Sequence, residues 1–275
     1  MTDGNAHIVL ESAGLTYPTA GQPFEALRDI DLAIDPSSFV AIVGPSGCGK
    51  SSLLRLLSGL THPSKGRVII DGQPVGKPRQ DVGIAFQKPS LLPWRSTRRN
   101  ILLPLEILAR RHRARDKDAG MGVADAHAEV DRLLALVGLA GCGDKHVFEL
   151  SGGMQQRVSL CRAVIHKPQI LLLDEPFGAL DAFTREDLWL VLQDVFLERG
   201  CTVVMITHDL REAVFLADRI VVMDRAPGRI LNVFEVAEQR PRSVDFTLSG
   251  PSVDLIRTLR AKIEKVMKHA PHPLV

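Results

Sequence analysis

The sequence predicts an α/β protein with a largely parallel β-sheet, and three observations carry that prediction. Short continuous apolar runs recur at "FVAIV" (39–43), "ILLLD" (170–174) and "TVVMI" (202–206), as in strands covered on both faces. Residues 184–199, between the last two runs, place Leu188, Val191, Leu192, Val195 and Phe196 on one helical face. The first run enters a glycine-rich turn, "GPSGCGKS" (44–51), that opens another helical pattern. Strand, helix and strand repeated in this way build a parallel sheet.

The remaining elements follow in order. "KSSLLRLLSG" reads as a helix ending near Gly59. "GRVIIDG" (66–72) and "DVGIAF" (81–86) are short strands bounded by turn residues. Residues 97–160 are helical and arginine-rich, with no strand pattern, and form a helical insertion. Within them "AEVDRLLALVGL" puts Val130, Leu133, Leu134 and Val137 at helical spacing. Thr184 and Asp187 resemble a capping box for the helix that follows, with Asp in place of Glu. After the linker "EQRPRS", the stretch "SVDLIRTLRAKIEKVM" is an amphipathic helix with Leu255, Leu259, Ile263 and Val266 as its core face.

Composition narrows the class. A chain of 275 residues with 45% apolar residues buries a full core. The net charge of +2 gives no electrostatic case for nucleic acid. Four scattered cysteines without C-x-x-C spacing argue against zinc and disulfides and fit a reducing cytosol. No apolar run is long enough to span a bilayer, and the first residues lack the basic flank of a secretion signal. Work at a membrane would therefore go through a partner.

The turn at 44–51 matches G-x-x-x-x-G-K-[ST], between a predicted strand and a predicted helix. Gly44, Gly47 and Gly49 let the backbone wrap phosphates. Lys50 brings a positive charge to the β- and γ-phosphates, and the Ser51 hydroxyl is a ligand for Mg²⁺. "ILLLDEP" ends an apolar strand in a carboxylate, Asp174, suited to the Mg²⁺ shell. Glu175 next to it is a candidate general base. Alone, such a pair reads as a helix cap or solvated turn; beside the phosphate loop it reads as catalytic. A second anion-binding device lies about a hundred residues further on. "LSGGMQQR" (150–157) opens a helix with Ser151, Gly152 and Gly153, presenting backbone N–H groups.

These motifs together resemble an ABC-type ATPase subunit. "GPSGCGKSS", the glutamine of "FQKPSLLPW", "LSGGMQQR", "ILLLDEP", "GALD" and "THD" occur in that family's order, and the resemblance covers about residues 8–235. It implies a RecA-like P-loop ATPase core, an N-terminal antiparallel β subdomain and an inserted helical subdomain at about 88–160. The ATPase domain would span 1–240, with a short helical extension at 241–275. It implies that two copies pair head to tail around ATP, each lending Ser151, Gly152 and Gly153 to the γ-phosphate held by the other's Lys50. The nucleotide loop then comprises Gly44, Pro45, Ser46, Gly47, Cys48, Gly49, Lys50, Ser51 and Ser52. By position, Tyr17 stacks on adenine, or is simply a strand residue. Gln87 senses Mg²⁺ and the attacking water, His208 contacts the γ-phosphate, and Asp181 faces the partner copy.

Two functional classes compete. One is the ATPase subunit of a membrane transporter with separate permease subunits; the other is a soluble ABC ATPase acting on ribosomes or DNA. One cassette, no heptad run and near-neutral charge favour the first. "LLPW", "DEPFGALDAFTRE", "THDLREAVFLADRIVVM" and "APGRI" followed by "RPR" resemble nitrate/sulfonate/taurine-type importer ATPases. That clade also includes importers of pyrimidine vitamin precursors and riboflavin. The resemblance implies an ATP- and Mg²⁺-dependent subunit peripheral to the cytoplasmic face of the bacterial inner membrane, working indirectly with a periplasmic or extracellular solute-binding protein. Leu91, Leu92, Pro93 and Trp94 are either core or the groove that receives a helix of the permease. Arg95, Arg98, Arg99, Arg110, Arg111, Arg113 and Arg115 are either a solvated face or lie near lipid headgroups or the membrane subunit.

Overall fold

The computed structural model describes residues 7–113, 123–178, 180–225 and 227–268. In chain order it begins with β1 (Ile8–Tyr17), β2 (Phe24–Ile34), β3 (Phe39–Val43), α1 (Lys50–Leu57), β4 (Lys65–Ile70), β5 (Gln73–Pro74) and β6 (Val82–Ala85). Helices α2 (Thr97–Arg113), α3 (Val123–Leu136) and α4 (Gly152–Val164) follow, then β7 (Ile170–Asp174) and α5 (Ala182–Arg199). The chain continues with β8 (Thr202–Ile206), α6 (Leu210–Leu216), β9 (Arg219–Asp224), β10 (Arg229–Glu235) and α7 (Gly250–Lys268). Contacts divide it into two compact units, one of residues up to 79 and from 200 onward, the other of 80–199.

The first unit holds two sets of strands. β2, β1, β4 and β5 form an antiparallel sheet in that order, with Ile8 opposite both Ile34 and Ile70. β3 lies between β8 and β9, parallel to both, and β10 runs antiparallel on β9. All five residues of β3 are buried, as are all five of β8, which is why their sequences show no alternation. β10 alternates between exposed and half-buried residues. Its exposed side carries Leu231 and Val233. α7 packs on α6, β9 and the 3₁₀ turn Val244–Leu248. Leu259 and Val266 are buried and Leu255 and Ile263 half-buried, the face expected of the amphipathic helix.

The second unit pairs β6 with β7 in parallel, Val82 opposite Ile170 and Ala85 opposite Leu173. α4 packs on β6, α2 and α3. The predicted apolar positions Val130, Leu133, Leu134 and Val137 are all buried. α5 meets α3 and α4 around a void of only about 10 Å³ lined by Leu133, Leu160, Val164, Leu192 and Val195, the close packing expected of a core. The Thr184–Asp187 capping box does not form. The cap of α5 lies three residues earlier, at Asp181, which accepts from the Thr184 backbone N–H at 3.0 Å. An aspartate fills this position as well as a threonine does, so the earlier residue takes it.

Candidate nucleotide-binding and catalytic site

In the first unit the phosphate loop connects β3 to α1. Gly49 is the N-cap of α1 with φ +92°. A Cβ there would sit 2.7 Å from Leu27 Cδ2 and 2.8 Å from the Ala26 carbonyl oxygen, so only glycine fits. Lacking a side chain, Gly49 leaves the first-turn N–H groups of α1 to other partners, and the positive end of the helix dipole points the same way. Lys50 is buried, and its Nζ donates to the carbonyls of Gly44 at 2.9 Å and Pro45 at 3.1 Å. The ammonium thus braces the loop from inside it. Ser46 and Gly47 are exposed at the loop's tip and Ser51 at the first turn of α1. Cys48 is buried, and burial pushes its thiol pKa up, so the thiolate is scarce and the residue acts as a small loop filler.

Tyr17 closes β1, and its hydroxyl donates to Ser52 Oγ at 3.3 Å. Its ring therefore flanks the start of α1. His208 follows β8 and is exposed. The next residue, Asp209, caps α6 by accepting from the Arg211 N–H at 2.8 Å and the Glu212 N–H at 3.4 Å. Thr207 bonds the Glu212 carboxylate and accepts from the Asp209 N–H at 3.0 Å. A cleft of about 430 Å³ is lined by Gly44, Pro45, Ser46 and His208 on one side and by Arg260 and Glu264 of α7 on another. The contribution of α7 to this cleft has no signature in the sequence.

In the second unit, the parallel register of β6 and β7 brings their C-terminal ends side by side. Asp174 is the last residue of β7. Glu175 follows in the left-handed region with φ +47°, where a non-glycine residue costs about 1–3 kcal/mol. Gln87, two residues past β6, donates from Nε2 to Glu175 Oε2 at 2.7 Å. Ser151 caps α4, its hydroxyl accepting from the Met154 N–H at 3.3 Å, and Gly152 at the first helical position is exposed. Gln156 of α4 donates to the Phe86 carbonyl at 3.4 Å. Hence the start of α4 is tied to the residue before Gln87. Asp181, capping α5, is held below the usual carboxylate range chiefly by the Thr184 backbone N–H.

A family model described as ABC transporter matches residues 27–178. The chain belongs to the ABC transporter family. It is similar to a nitrate import ATP-binding protein of Synechococcus elongatus, 42% identical over 249 residues, covering 90% of this chain and 88% of that one. A taurine import ATP-binding protein of Mesorhizobium japonicum is 42% identical over 229 residues, covering 83% and 84%. Among solved structures, a dimeric ATP-binding cassette in a post-hydrolysis state with ADP and Pi aligns with TM-score 0.74 at 29% identity, covering 84% of this chain and all of that one. This ABC protein is therefore an ATP-binding subunit and an ATPase.

Exposure bears on the alternatives that the sequence left open at 91–94. Leu91 and Leu92 are half-buried, whereas Trp94 is 72% exposed and is not core. Side chains bond the main chain of the turn beneath it. Asn100, fully buried, accepts from the Leu92 N–H at 2.8 Å and donates to the carbonyls of Leu92 at 3.1 Å and Arg95 at 3.2 Å. Arg162 donates to Pro89 and Ser90 carbonyls at 2.7 and 3.0 Å. Sequence reasoning missed both supports, because an asparagine or arginine that bonds main chain leaves no spacing pattern. Within the arginine cluster, Arg95 pairs with Glu106 at 2.8 Å and Arg98 with Asp131 at 2.6 Å. Arg115 and the side chains of Arg111 and Arg113 lie outside the described residues. Among the described residues no helix is long and apolar enough to cross a membrane, and no three His, Cys, Asp or Glu side chains cluster as a metal site.

Proposed function

We propose that this chain is the ATPase subunit of an importer, binding ATP at the loop 44–51 and hydrolysing it with Glu175 as general base. The Gln87–Glu175 hydrogen bond of 2.7 Å, beside Asp174 at a strained strand end, carries this reading. Lys50 supplies charge to the β- and γ-phosphates, and the loop N–H groups from Gly44 to Ser52 hold their oxygens. Tyr17 offers its ring to the adenine. Glu175 takes the proton of the attacking water, while Gln87 and His208 orient that water.

Ser51, Asp174 and Gln87 are the residues to hold Mg²⁺. They offer hydroxyl, carboxylate and amide oxygens, with no soft ligand among them. The lack of a multi-carboxylate cage among the described residues also suits a cation shared with phosphates and water. Bound there, Mg²⁺ neutralises developing phosphate charge.

Two copies close around two nucleotides, each offering Ser151, Gly152 and Gly153 to the other's γ-phosphate, with Asp181 at the contact. The exposed Trp94 docks a helix of an integral membrane permease, and the subunit works peripherally at the cytoplasmic face of the membrane. The named relatives import nitrate and taurine, and a third, from Synechocystis, transports bicarbonate. The solute is accordingly a small anion or zwitterion delivered by a solute-binding protein. The test is Glu175→Gln. It should bind ATP with near-native affinity and lose about 10²–10⁴-fold in turnover; turnover within a few-fold of the unaltered protein would overturn the assignment.

A further inference from the structure

α6 has seven residues, too few to hold a helix by itself in water. Its position is set by what grips it, and residues 240–247 grip both ends. At the C-terminal end Arg242, 3% exposed, donates from Nη1 to the carbonyls of Val214 at 3.1 Å, Phe215 at 2.9 Å and Ala217 at 2.8 Å. Its Nε and Nη2 donate to the Glu238 carbonyl at 2.9 and 2.6 Å. The guanidinium thus satisfies the orphan carbonyls of the last turn and sets a positive charge at the negative end of the helix. Burial lowers its pKa to about 10, which leaves it cationic at neutral pH.

Arg240 adds a second tie. It donates to the Leu216 carbonyl and to Asp218 Oδ1, each at 2.5 Å. The other oxygen of Asp218 accepts from the Phe39 N–H at 2.8 Å, at the start of the strand that feeds the phosphate loop. At the N-terminal end of α6, Arg211 donates to the buried Thr247 hydroxyl at 3.2 Å. One residue before the α6 cap, His208 borders the cleft whose other wall is α7.

We infer that the C-terminal segment, through Arg242 and Thr247, is the positioning element for His208. This rests on the proposed role of His208 in orienting the attacking water. Neither residue lines the cleft beside the phosphate loop, so loosening the grip should slow turnover without weakening ATP binding.

The experiment is a double-mutant cycle on the full chain, reading ATP affinity with a fluorescent nucleotide and hydrolysis by single turnover with protein in excess. Arg242→Gln should lower the hydrolysis rate about tenfold and leave ATP affinity within about twofold. His208→Ala should lower the rate about 10²-fold or more. The double variant should hydrolyse no more slowly than His208→Ala alone, because the arginine acts through the histidine. A double variant slower by a further factor of about ten would overturn the inference while leaving the role of His208 intact. A His208→Ala protein with native turnover would instead overturn the role of His208, and the inference with it. If Arg242→Gln does not fold, Thr247→Val tests the other end of α6. Additivity with His208→Ala, or an unchanged rate, overturns the inference there as well.

Discussion

The residues proposed to carry the chemistry sit where the backbone is least ordinary. Glu175 occupies a left-handed conformation that its residue type disfavours, and Gly49 is the one residue that fits under Leu27 and Ala26. The motifs single out both residues in the sequence, but the left-handed backbone of Glu175 has no signature there. Arg242 was not legible, because its partners are main-chain carbonyls that any residue supplies. Nor was the pairing of Glu129, a residue that a helical pattern marks only as surface. It joins Arg132 at 2.8 Å and also pairs with Arg199. Arg132 first, and Arg199 after it, hold the Glu129 carboxyl below its ordinary value of 4.5. A carboxyl depressed in the folded state adds stability above the unfolded pKa and loses it as pH falls through the folded one. Glu129→Gln should thus be less stable than the unaltered protein by about 1 kcal/mol at neutral pH. That gap should narrow below about pH 4.5, as urea midpoints measured down the pH scale would show.

Among elements, the buried parallel strands were the easiest to read, and β10 the hardest. β3, β7 and β8 are continuous apolar runs, whereas β10 alternates and pairs only with β9 in its sheet, so its sequence also suits a loop. α2 was legible only in outline, since it runs through Pro104 where local propensity favours a break. Packing against α4 and α3 overrides that preference. The turn before α2 supplies a test of the docking face. Trp94 is exposed while Asn100 fastens the turn beneath it. Trp94→Ala should therefore leave the thermal midpoint and ATP affinity of the isolated chain unchanged. It should weaken co-purification with the permease by about 2 kcal/mol, roughly thirtyfold, as truncating a central aromatic anchor does. A loss of thermal stability together with nucleotide binding would return Trp94 to the core; unchanged co-purification would remove it from the interface.

For the whole molecule, the question is why one chain carries two helix starts suited to an anion. α1 begins at Lys50 and α4 at Gly152, in different compact units. The solved relative with ADP and Pi is a dimer. If the helix start at 151–153 serves the partner's nucleotide, damage to the two devices is complementary. Lys50→Ala removes the charge that binds phosphate, and Ser151→Arg fills the space before α4 with a bulky side chain. Each homodimer then has two defective sites and should be inactive. In a mixed dimer one site pairs the intact loop of the Ser151→Arg chain with the intact "LSGG" of the Lys50→Ala chain. The other site combines both lesions. Hydrolysis should return to a measurable fraction of native, at most about half if the sites act independently. If each "LSGG" served its own nucleotide, every site in every mixture would keep one lesion. Mixing differently tagged chains and purifying the doubly tagged dimer separates the two arrangements. A doubly tagged dimer no more active than either parent would place both devices on one nucleotide within one chain.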